Sequence, residues 1–375
     1  MSDRYIERVI LAEDRGSLSW LIRGLLWPLS IIYRIGLAIY LAAYSLGLRK
    51  RHRLSVPVIS IGNLTFGGTG KTPAVQTVCR MLIGQGKKVV VLSRGHGGAA
   101  RRATVVSDGG SLLVGSEIAG DEPVLLASTL PGVPVIVGKD RRESGELALK
   151  QFKPDVIVLD DGLQYWQLHR DLDIVILDAN RPFGSGYVMP MGDLREPASG
   201  LKRAGIVFLG NAKSFGDIEY ENLTKRILRL TPGAQIFKCS REPLHFRDVN
   251  TGAELDLSWI RGRKVLAFCG IGRPSAFYEM LESLGAVVKS ITFPDHHRLT
   301  ETEIARIKDE FNACGADAIT TTDKDAARLG CPAPFDDLFT LSIQLEIEES
   351  SRFAEYITNR IDIENKATLA QKTYN

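Results

Sequence analysis

A glycine-rich loop, flanked by a strand-like run and a helix-like run, constrains the fold of this chain more than any other feature. The stretch VPVISIGNLTFGGTGKTPAVQTVCRML is apolar before the loop and carries apolar residues at helical spacing after it. In such a unit, the N–H groups and the dipole of the helix N-terminus bind an anion. Thr65 occupies the first glycine position of the usual pattern G-x-x-x-x-G-K-[ST]. Gly67 and Gly68, further along, still allow close backbone approach, so the loop predicts phosphate binding.

The end of the loop carries the side chains that would contact a nucleotide. Lys71 is predicted to reach the β- and γ-phosphates of ATP, and the Thr72 hydroxyl is predicted to bind Mg²⁺. Pro73 fits the first helical turn, where a missing N–H has no cost. A glycine-rich turn with an unrelated lysine is the alternative interpretation. The residues predicted to bind the nucleotide are Thr65, Phe66, Gly67, Gly68, Thr69, Gly70, Lys71 and Thr72.

Short apolar runs alternate with helix-like stretches downstream of the loop. Several of these runs are almost continuously apolar, as expected for parallel strands that are covered on both faces. Together with helices at Pro73–Gly84 and Asp140–Phe152, they predict a P-loop NTPase-like, doubly wound α/β domain. The predicted strands are Val56–Ile61, Lys88–Leu92, Val133–Val137, Asp155–Leu159, Asp173–Leu177 and Ile206–Leu209.

A second series of strands and helices predicts a smaller C-terminal α/β domain, and the cleft between the two domains is the predicted active site. Its predicted elements are Lys264–Cys269, Pro274–Leu284, Val287–Phe293, Glu301–Ala313 and Ala318–Thr322. The predicted boundaries are an N-terminal membrane-associated segment at 1–53, the P-loop kinase domain at 54–212, the smaller domain at 213–361 and a frayed tail at 362–375.

Acidic residues follow one of the predicted strands directly. Asp160 and Asp161 fall at the carboxyl end of that strand, which is the ligand-binding edge of a parallel sheet. P-loop enzymes keep a Mg²⁺-side carboxylate in this place. An ordinary turn at a strand end is the alternative. A guanine-specific N-K-x-D motif is absent from the sequence, and this disfavours a GTPase.

Two short stretches could supply the base that a kinase needs near its acceptor hydroxyl. Asp121 lies in a Gly-Asp-Glu-Pro stretch, and Asp295 precedes His296 and His297 at the end of a predicted strand. An aspartate beside a histidine can orient the imidazole and raise its basicity. Each stretch also has an ordinary interpretation, as a helix cap and as a polar turn.

An apolar segment near the start of the chain predicts association with a membrane. It runs from Leu18 to Leu48 and is rich in Trp and Tyr, but its longest uncharged run, Ile35 to Leu48, is shorter than the roughly 18 to 20 residues that a span needs. Whether the helix spans or lies flat is left open, and a buried helix is the alternative. Basic residues at 49–53 would face anionic lipid on the cytoplasmic side.

The overall composition is that of a globular protein without nucleic-acid partners. It has 44% hydrophobic and 24% charged residues, and the net charge of +3 is too small to indicate nucleic-acid binding. The five cysteines form no C-x-x-C pair, which fits a reducing compartment. No protein partner is predicted.

Taken together, these motifs resemble those of the tetraacyldisaccharide 4'-kinase family, which phosphorylates the lipid A precursor. They occur in family order through most of the chain, and the N-terminal apolar helix matches as well. The matching stretches are GNLTFGGTGKTP (62–73), LSRGHGG (92–98), GDEP (120–123), KDR (139–141), DDGLQ (160–164), RDLDIV (170–175), LREP (194–197), CGIGRP (269–274) and FPDHH (293–297).

The resemblance implies an activity: transfer of the γ-phosphate of ATP to the 4'-hydroxyl of a tetraacyldisaccharide 1-phosphate, giving lipid IVA at the cytoplasmic face of the bacterial inner membrane. It also implies residue roles. Asp121 and His296, paired with Asp295, would form the catalytic dyad, and it would assemble fully only when the cleft closes. The other implied roles are catalysis for Lys71, Arg141 and Arg195, and metal binding for Thr72, Asp160, Asp161 and Glu196.

Three positions depart from the family pattern. His96 and Tyr165 stand where the family often has Tyr and His, and Leu163 replaces Phe. Rates or affinities would differ if these side chains touch the nucleotide or the lipid. A membrane-bound P-loop ATPase that acts as a switch on a protein partner is the alternative function, but it leaves Asp121 and Asp295–His296 without a role.

Overall fold

The computed structural model describes residues 8–11, 14, 16–295, 297–329 and 332–373, with the backbone alone at 214 and 364–373. Its strands are β1 (Val58–Asn63), β2 (Val89–Ser93), β3 (Thr104–Ser107), β4 (Val135–Val137), β5 (Val156–Asp160), β6 (Leu172–Asp178), β7 (Ala204–Gly210), β8 (Gln235–Asp248), β9 (Glu254–Leu255), β10 (Lys264–Cys269), β11 (Val287–Thr292), β12 (Ala318–Thr322) and β13 (Leu338–Ile347). Its helices are α1 (Ser17–Ser45), α2 (Lys71–Gly84), α3 (Ser116–Ala119), α4 (Asp121–Thr129), α5 (Arg141–Phe152), α6 (Asp217–Leu230), α7 (Pro274–Ser283), α8 (Glu301–Cys314), α9 (Asp323–Leu329) and α10 (Ser350–Thr373).

The chain divides into two compact units, and each is built from several segments. Unit 1 contains residues 1–93, 140–240 and 346–375, and unit 2 contains residues 94–139 and 241–345. The boundaries predicted from the sequence place 94–139 in the first domain and 213–240 in the second. The structure groups both segments differently, because Asp121 in the first of them forms an ion pair with Arg328 and β8 in the second pairs with β7.

The sheet of unit 1 has the strand order β8-β7-β6-β1-β5-β2, and every neighbouring pair is parallel. All residues of β1, β2 and β5 are buried, which explains their continuous apolar runs. Because β1 and β5 are neighbours, the loop after β1 and the acidic residues after β5 emerge at the same edge. This confirms the predicted doubly wound α/β fold and brings the loop and the acidic residues to one edge of the sheet.

In unit 2, four strands lie in the order β11-β10-β12-β13, and neighbouring strands of this set are parallel. Alternate residues of β10 face opposite sides of this sheet. Val265 and Ala267 pack in one cluster with Phe277 of α7, and Leu266 and Phe268 pack in another with residues of α8 such as Ile307. The strands β3 and β4 of the same unit pair with each other in antiparallel orientation.

The N-terminal helix α1 has one docked side and one exposed apolar side. Ser30 donates to the carbonyl of Val188 at 2.8 Å, and Tyr33 donates to the carbonyl of Arg195 at 2.6 Å. A stripe at seven-residue spacing is exposed and consists of Leu18, Leu25, Ile32, Ile39 and Leu46. By length and composition alone, α1 could cross a membrane, and only 6% of its apolar window is buried.

Two parts of the chain differ from the sequence-based expectation for physical reasons. The loosely patterned region near 211–262 contains α6 and the long strand β8, whose residues are mostly half-buried and therefore lack a clean apolar pattern. Residues 362–373 of the predicted tail belong to α10, which continues to Thr373. Phe353 of this helix contacts the rings of Phe208 and Phe237 at 5.1 and 5.3 Å.

Candidate active site

The glycine-rich loop leads directly into α2, as its sequence pattern predicts. Gly67 and Gly70 have φ angles of +104° and +93°, which a residue with a Cβ rarely adopts. Gly70 precedes α2, so Lys71 and Thr72 occupy its first turn. The N–H groups of this turn and the helix dipole face the space that an anion would fill.

The ammonium group of Lys71 is held by residues at the ends of β1 and β5. Its Nζ donates to Oδ1 of Asn63 at 3.3 Å and lies 3.9 Å from Oδ1 of Asp161. The amide of Asn63 in turn donates to the hydroxyl of Thr69 at 2.8 Å. Asn63 thus connects the loop with the lysine, and this fixes the cation beside the loop before any nucleotide binds.

Asp161 is the centre of a charged cluster at this edge of the sheet. Nη1 of Arg195 donates to both of its carboxylate oxygens, at 2.8 and 2.7 Å. The Arg195 guanidinium also lies over the ring of Phe66, 5.0 Å from its centroid. Burial alone would raise the pKa of Asp161, but the charges of Lys71 and Arg195 outweigh it and hold this pKa below its usual value. The carboxylate is therefore ionised at neutral pH.

Asp160 differs from its neighbour because its carboxylate lies in the interior. It is 2% exposed, and Ser93 donates to its Oδ2 at 2.8 Å. It stands in register with Ile61 of β1, the strand that leads into the loop. Asp160 and the Thr72 hydroxyl both supply oxygen, the donor type that Mg²⁺ prefers.

The described residues contain no group of three or more His, Cys, Asp or Glu side chains placed to hold a metal ion. Mg²⁺ usually takes one or two protein carboxylates, substrate phosphates and water. The oxygen donors of Thr72 and Asp160 fit this ion when a nucleotide supplies the remaining ligands.

Glu196, predicted as a metal ligand, is engaged by other residues in this structure. Its two carboxylate oxygens each accept a hydrogen bond of 2.8 Å from Arg203, and Gln164 donates to its Oε1 at 2.9 Å. Glu196 is 1% exposed. This geometry favours a positioning role for the carboxylate over direct metal binding.

Tyr165, one of the departures from the family pattern, contacts Arg141. The Arg141 guanidinium lies over the Tyr165 ring at 5.3 Å from its centroid, and Arg141 is 3% exposed. The Tyr165 hydroxyl accepts from the backbone N of Arg141 at 3.0 Å and donates to Asp140 at 2.9 Å. Tyr165 therefore fixes the direction of the arginine that is predicted to contact phosphate.

In unit 2, Asp121 is the first residue of α4. It follows Gly120, whose φ is +88° and whose place no larger residue could take, because a Cβ there would lie 2.4 Å from the carbonyl of His96. The Asp121 carboxylate forms an ion pair with Nε of Arg328 at 2.7 Å, and Nη2 of Arg298 lies 3.7 Å away.

The other half of the predicted dyad is only partly described. Asp295 is exposed and lies in unit 2 with Asp121, while His296 lies outside the described residues. The sequence-based hypothesis placed Asp121 and the Asp295–His296 pair in different domains. The structure places Asp121 in the unit that contains residues 241–345, and therefore in the same unit as Asp295.

The loop that carries Asp295 is held at its far end by Glu303. His297 stacks on Phe293 with a ring-centroid distance of 5.2 Å, and its Nε2 lies 2.9 Å from Oε2 of Glu303. Glu303 also closes a capping box with Thr300 at the start of α8. Hydrogen bonds from the backbone N of Thr300 and from His297 lower the pKa of Glu303 to about 2.

We expect Glu303→Gln to lower the melting temperature at neutral pH and to matter less as the solution becomes acidic. The pKa of Glu303 is depressed in the folded state, so the stabilisation is present above about pH 4.5 and is lost as the pH falls toward 2. Thermal melts of both proteins between pH 3 and pH 7 test this expectation. A difference in melting temperature that stays constant over this range would contradict it.

Sequence reasoning missed four residues that support these clusters. Asn63 and Gln164 lie inside motifs that the sequence analysis recognised. Their amide side chains were the sequence feature that could have identified them as site residues. Arg328 and Asp325 are three positions apart in α9, directly after β12, where a buried charged pair could be expected only from the fold.

Comparison with known proteins gives a consistent set of similarities. The family described as tetraacyldisaccharide-1-P 4'-kinase (LpxK) matches residues 22–362. A tetraacyldisaccharide 4'-kinase of Anaeromyxobacter sp. (strain Fw109-5) is 43% identical over 84% of this chain and 85% of its own length. The one from Syntrophus aciditrophicus is 38% identical over 89% of this chain and 91% of its own.

A solved structure is similar over nearly its whole length. The crystal structure of the "apo" form of LpxK from Aquifex aeolicus in complex with ATP has a TM-score of 0.74 and 32% identity. The similarity covers 91% of this chain and 99% of that chain.

Proposed function

Because the chain belongs to the tetraacyldisaccharide-1-P 4'-kinase family, we propose that it phosphorylates the 4'-hydroxyl of a tetraacyldisaccharide 1-phosphate with ATP. The observation that carries the proposal is the cradle formed by the loop and Lys71, which is fixed by Asn63 and Asp161 at the carboxyl edge of the sheet. The solved relative in complex with ATP supports the choice of nucleotide.

The reaction exchanges one phosphorus–oxygen bond for another. The bond between the γ-phosphorus and the β–γ bridging oxygen breaks, a bond from the γ-phosphorus to the 4'-oxygen forms, and ADP leaves. The proton of the 4'-hydroxyl passes to a base. Such transfer depends mostly on positioning and on stabilisation of charge.

The residues of this chain take complementary roles in the transfer. Lys71 offsets the charge that develops between the β- and γ-phosphates, and Arg195 and Arg141 contribute further positive charge near the phosphates. Thr72 and Asp160 would hold Mg²⁺, which neutralises phosphate charge when it is bound. Asp161 keeps Lys71 and Arg195 in place through its ion pairs.

Asp121 and the Asp295–His296 pair are the groups proposed to receive the hydroxyl proton. Asp121 presents an acidic group at the start of α4. A base placed in this way typically accelerates proton transfer by about 10²- to 10⁴-fold.

The acceptor lipid stays in a bilayer, and α1 is proposed to bring the enzyme to the cytoplasmic face of the inner membrane. The exposed stripe supplies apolar area for the membrane. Tyr33 and Ser30 hold α1 against the loop that carries Arg195. Arg49 and Lys50, which are exposed after α1, would meet anionic headgroups.

We expect the double variant Ile32→Asp and Ile39→Asp to lose activity on vesicle-embedded lipid much more than on detergent-dispersed lipid. Both side chains are exposed, at 65% and 66%, and neither forms the docking hydrogen bonds of α1. Burial of one isoleucine contributes about 1.5–3 kcal/mol, so the loss on vesicles should be roughly tenfold or more.

The matched control for this membrane test is Ile218→Asp, since Ile218 is 76% exposed on α6. This control should keep its activity in both assays. An equal loss for the double variant in vesicles and in detergent would contradict a role of the stripe at the membrane.

The test of the proposed function follows the label of γ-labelled ATP. A kinase places the label on the disaccharide lipid, whereas an ATPase switch releases it as free phosphate. Label on the lipid, with ATP consumption that depends on added lipid, supports the proposal. ATP hydrolysis with unlabelled lipid would favour the switch instead.

A further inference from the structure

The charged side chain of Arg328 is buried, and the proposed mechanism has not used it. This side chain is 2% exposed and extends from α9 in unit 2. Burial of a guanidinium is costly unless charges and hydrogen bonds compensate it. The groups that surround Arg328 therefore reveal what the residue does.

The guanidinium joins Asp121 to a second carboxylate and to the backbone. Its Nε donates to Oδ2 of Asp121 at 2.7 Å, and its Nη1 donates to Oδ1 of Asp325 at 2.8 Å. Nη1 also contacts the carbonyl of Gly270 at 3.2 Å. Because a guanidinium is planar and its donors form a rigid fork, contacts to three groups fix its orientation.

Asp325 is in turn fixed from both sides. Its Oδ2 accepts from the hydroxyl of Thr322 at 2.6 Å, and its Oδ1 accepts from the backbone N of Gly270 at 3.1 Å. Thr322 ends β12 and Gly270 follows β10, so the anchor rests on two neighbouring strands of the sheet. The carboxylate thereby holds Arg328 on the rigid part of unit 2.

We propose that Arg328 is a positioning residue, which holds the Asp121 carboxylate ionised and in one orientation for the acceptor hydroxyl. This inference rests on the proposed function, since it assumes that Asp121 acts on the hydroxyl proton. The chain of contacts runs from the sheet through Asp325 and Arg328 to Asp121. It supplies the outer support that a catalytic carboxylate needs in order to keep a productive geometry.

The positive charge of Arg328 also favours the ionised form of the carboxylates that it contacts. Burial raises the pKa of Asp325 above its usual value, whereas Thr322 and Arg328 lower it. Loss of a neighbouring positive charge raises the pKa of a carboxylate. Among the described residues, further charged and titratable side chains near this cluster are Arg298, Glu122, Lys324, Asp295, His297, Cys269 and Tyr278.

The test compares Arg328→Gln and Arg328→Lys with the matched control Arg247→Gln. Arg247 lies in the same unit and contacts the same helix α4, through the carbonyl of Ser128 at 3.2 Å, but it holds no carboxylate there. For each protein, kcat, KM for ATP and the pH dependence of kcat/KM are measured with γ-labelled ATP and the disaccharide lipid.

The inference predicts a specific set of changes. Arg328→Gln should lower kcat by about 10²-fold, the usual cost of a misplacement of roughly 1 Å, with little change in KM for ATP. The acidic limb of its pH profile of kcat/KM should move to higher pH. Arg328→Lys should restore this limb and part of kcat, because it keeps the charge without the fork. Arg247→Gln should match the wild type.

Other results would overturn the inference. Wild-type kcat in Arg328→Gln would do so, and so would a lower kcat with an unchanged pH profile and no recovery in the lysine variant. If Arg328→Gln does not fold, the lysine variant decides. A lower kcat, with KM for ATP and the acidic limb of the pH profile as in the wild type, supports the inference. A wild-type kcat in the lysine variant overturns it. Unlabelled lipid with the wild-type enzyme would instead contradict the proposed function.

Discussion

Replacement of Lys71 by alanine should lower the rate of phosphate transfer by about 10²- to 10³-fold, the usual effect of removing one preorganised electrostatic contact from a transition state. In the proposed function, Lys71 is the cation that the loop and α2 present to the β- and γ-phosphates. Its ammonium is held between Asn63 and Asp161, so its position is fixed before substrate binds. The measurement is the initial rate of label transfer from γ-labelled ATP to the lipid.

The matched control for this variant is Lys87→Ala. Lys87 lies in the same unit and forms a salt bridge of 3.0 Å to Asp362, in which both side chains are partly exposed. Such pairs contribute about 0–1 kcal/mol to stability, so this variant should transfer phosphate at the wild-type rate. Wild-type transfer by Lys71→Ala would show that the loop does not act on the phosphates.

Asp121→Asn should lower kcat by about 10²- to 10⁴-fold, which is the range for loss of a general base or of its partner. The substitution keeps the size of the side chain, and the amide oxygen can still accept the hydrogen bond from Arg328. The amide takes up no proton and carries no charge. A fall in kcat with an unchanged melting temperature would therefore report chemistry and not folding.

The neighbouring residue offers the control for Asp121. Glu122 is paired with Lys324 at 2.9 Å, and Glu122→Gln makes the same change of carboxylate to amide one position along α4. It should retain most of the activity. Equal losses in the two variants would contradict a specific role for Asp121, as would wild-type kcat in Asp121→Asn.

Much of unit 1 could be predicted because its signals are local. The loop, α2 and the buried strands depend on the spacing of glycines and apolar residues over short stretches, and α2 begins two residues before the prediction, at Lys71. Asp160 and Asp161 follow the same logic, since they stand where a buried strand ends. In these stretches the sequence pattern and the tertiary environment agree.

The unit to which Asp121 belongs could not be predicted in the same way. Residues 94–139 interrupt unit 1 in the sequence and pack with residues that follow more than a hundred positions later, as the pair of Asp121 and Arg328 illustrates. A linear pattern of apolar residues carries no information on such distant pairing. For the same reason, the role of Asp325 could not be predicted, because its partners lie at the ends of two separate strands.

The hydrogen-bond partners of Glu196 could not be predicted from the sequence either. Its position beside Arg195 is typical of an active-site motif, but its carboxylate faces Arg203 and Gln164 in the interior. Only the direction of the side chain distinguishes a positioning role from metal binding. Direction depends on packing, and short motifs do not encode it.

The most direct test of the central claim is the position of the new phosphate on the lipid. After incubation with ATP, the isolated product is analysed by phosphorus NMR with correlation to the sugar protons. The account predicts a second phosphomonoester that couples to the proton at the 4' carbon, in an amount equal to the ADP formed. A phosphate at any other hydroxyl, or ADP formation without a phosphorylated lipid, would contradict it.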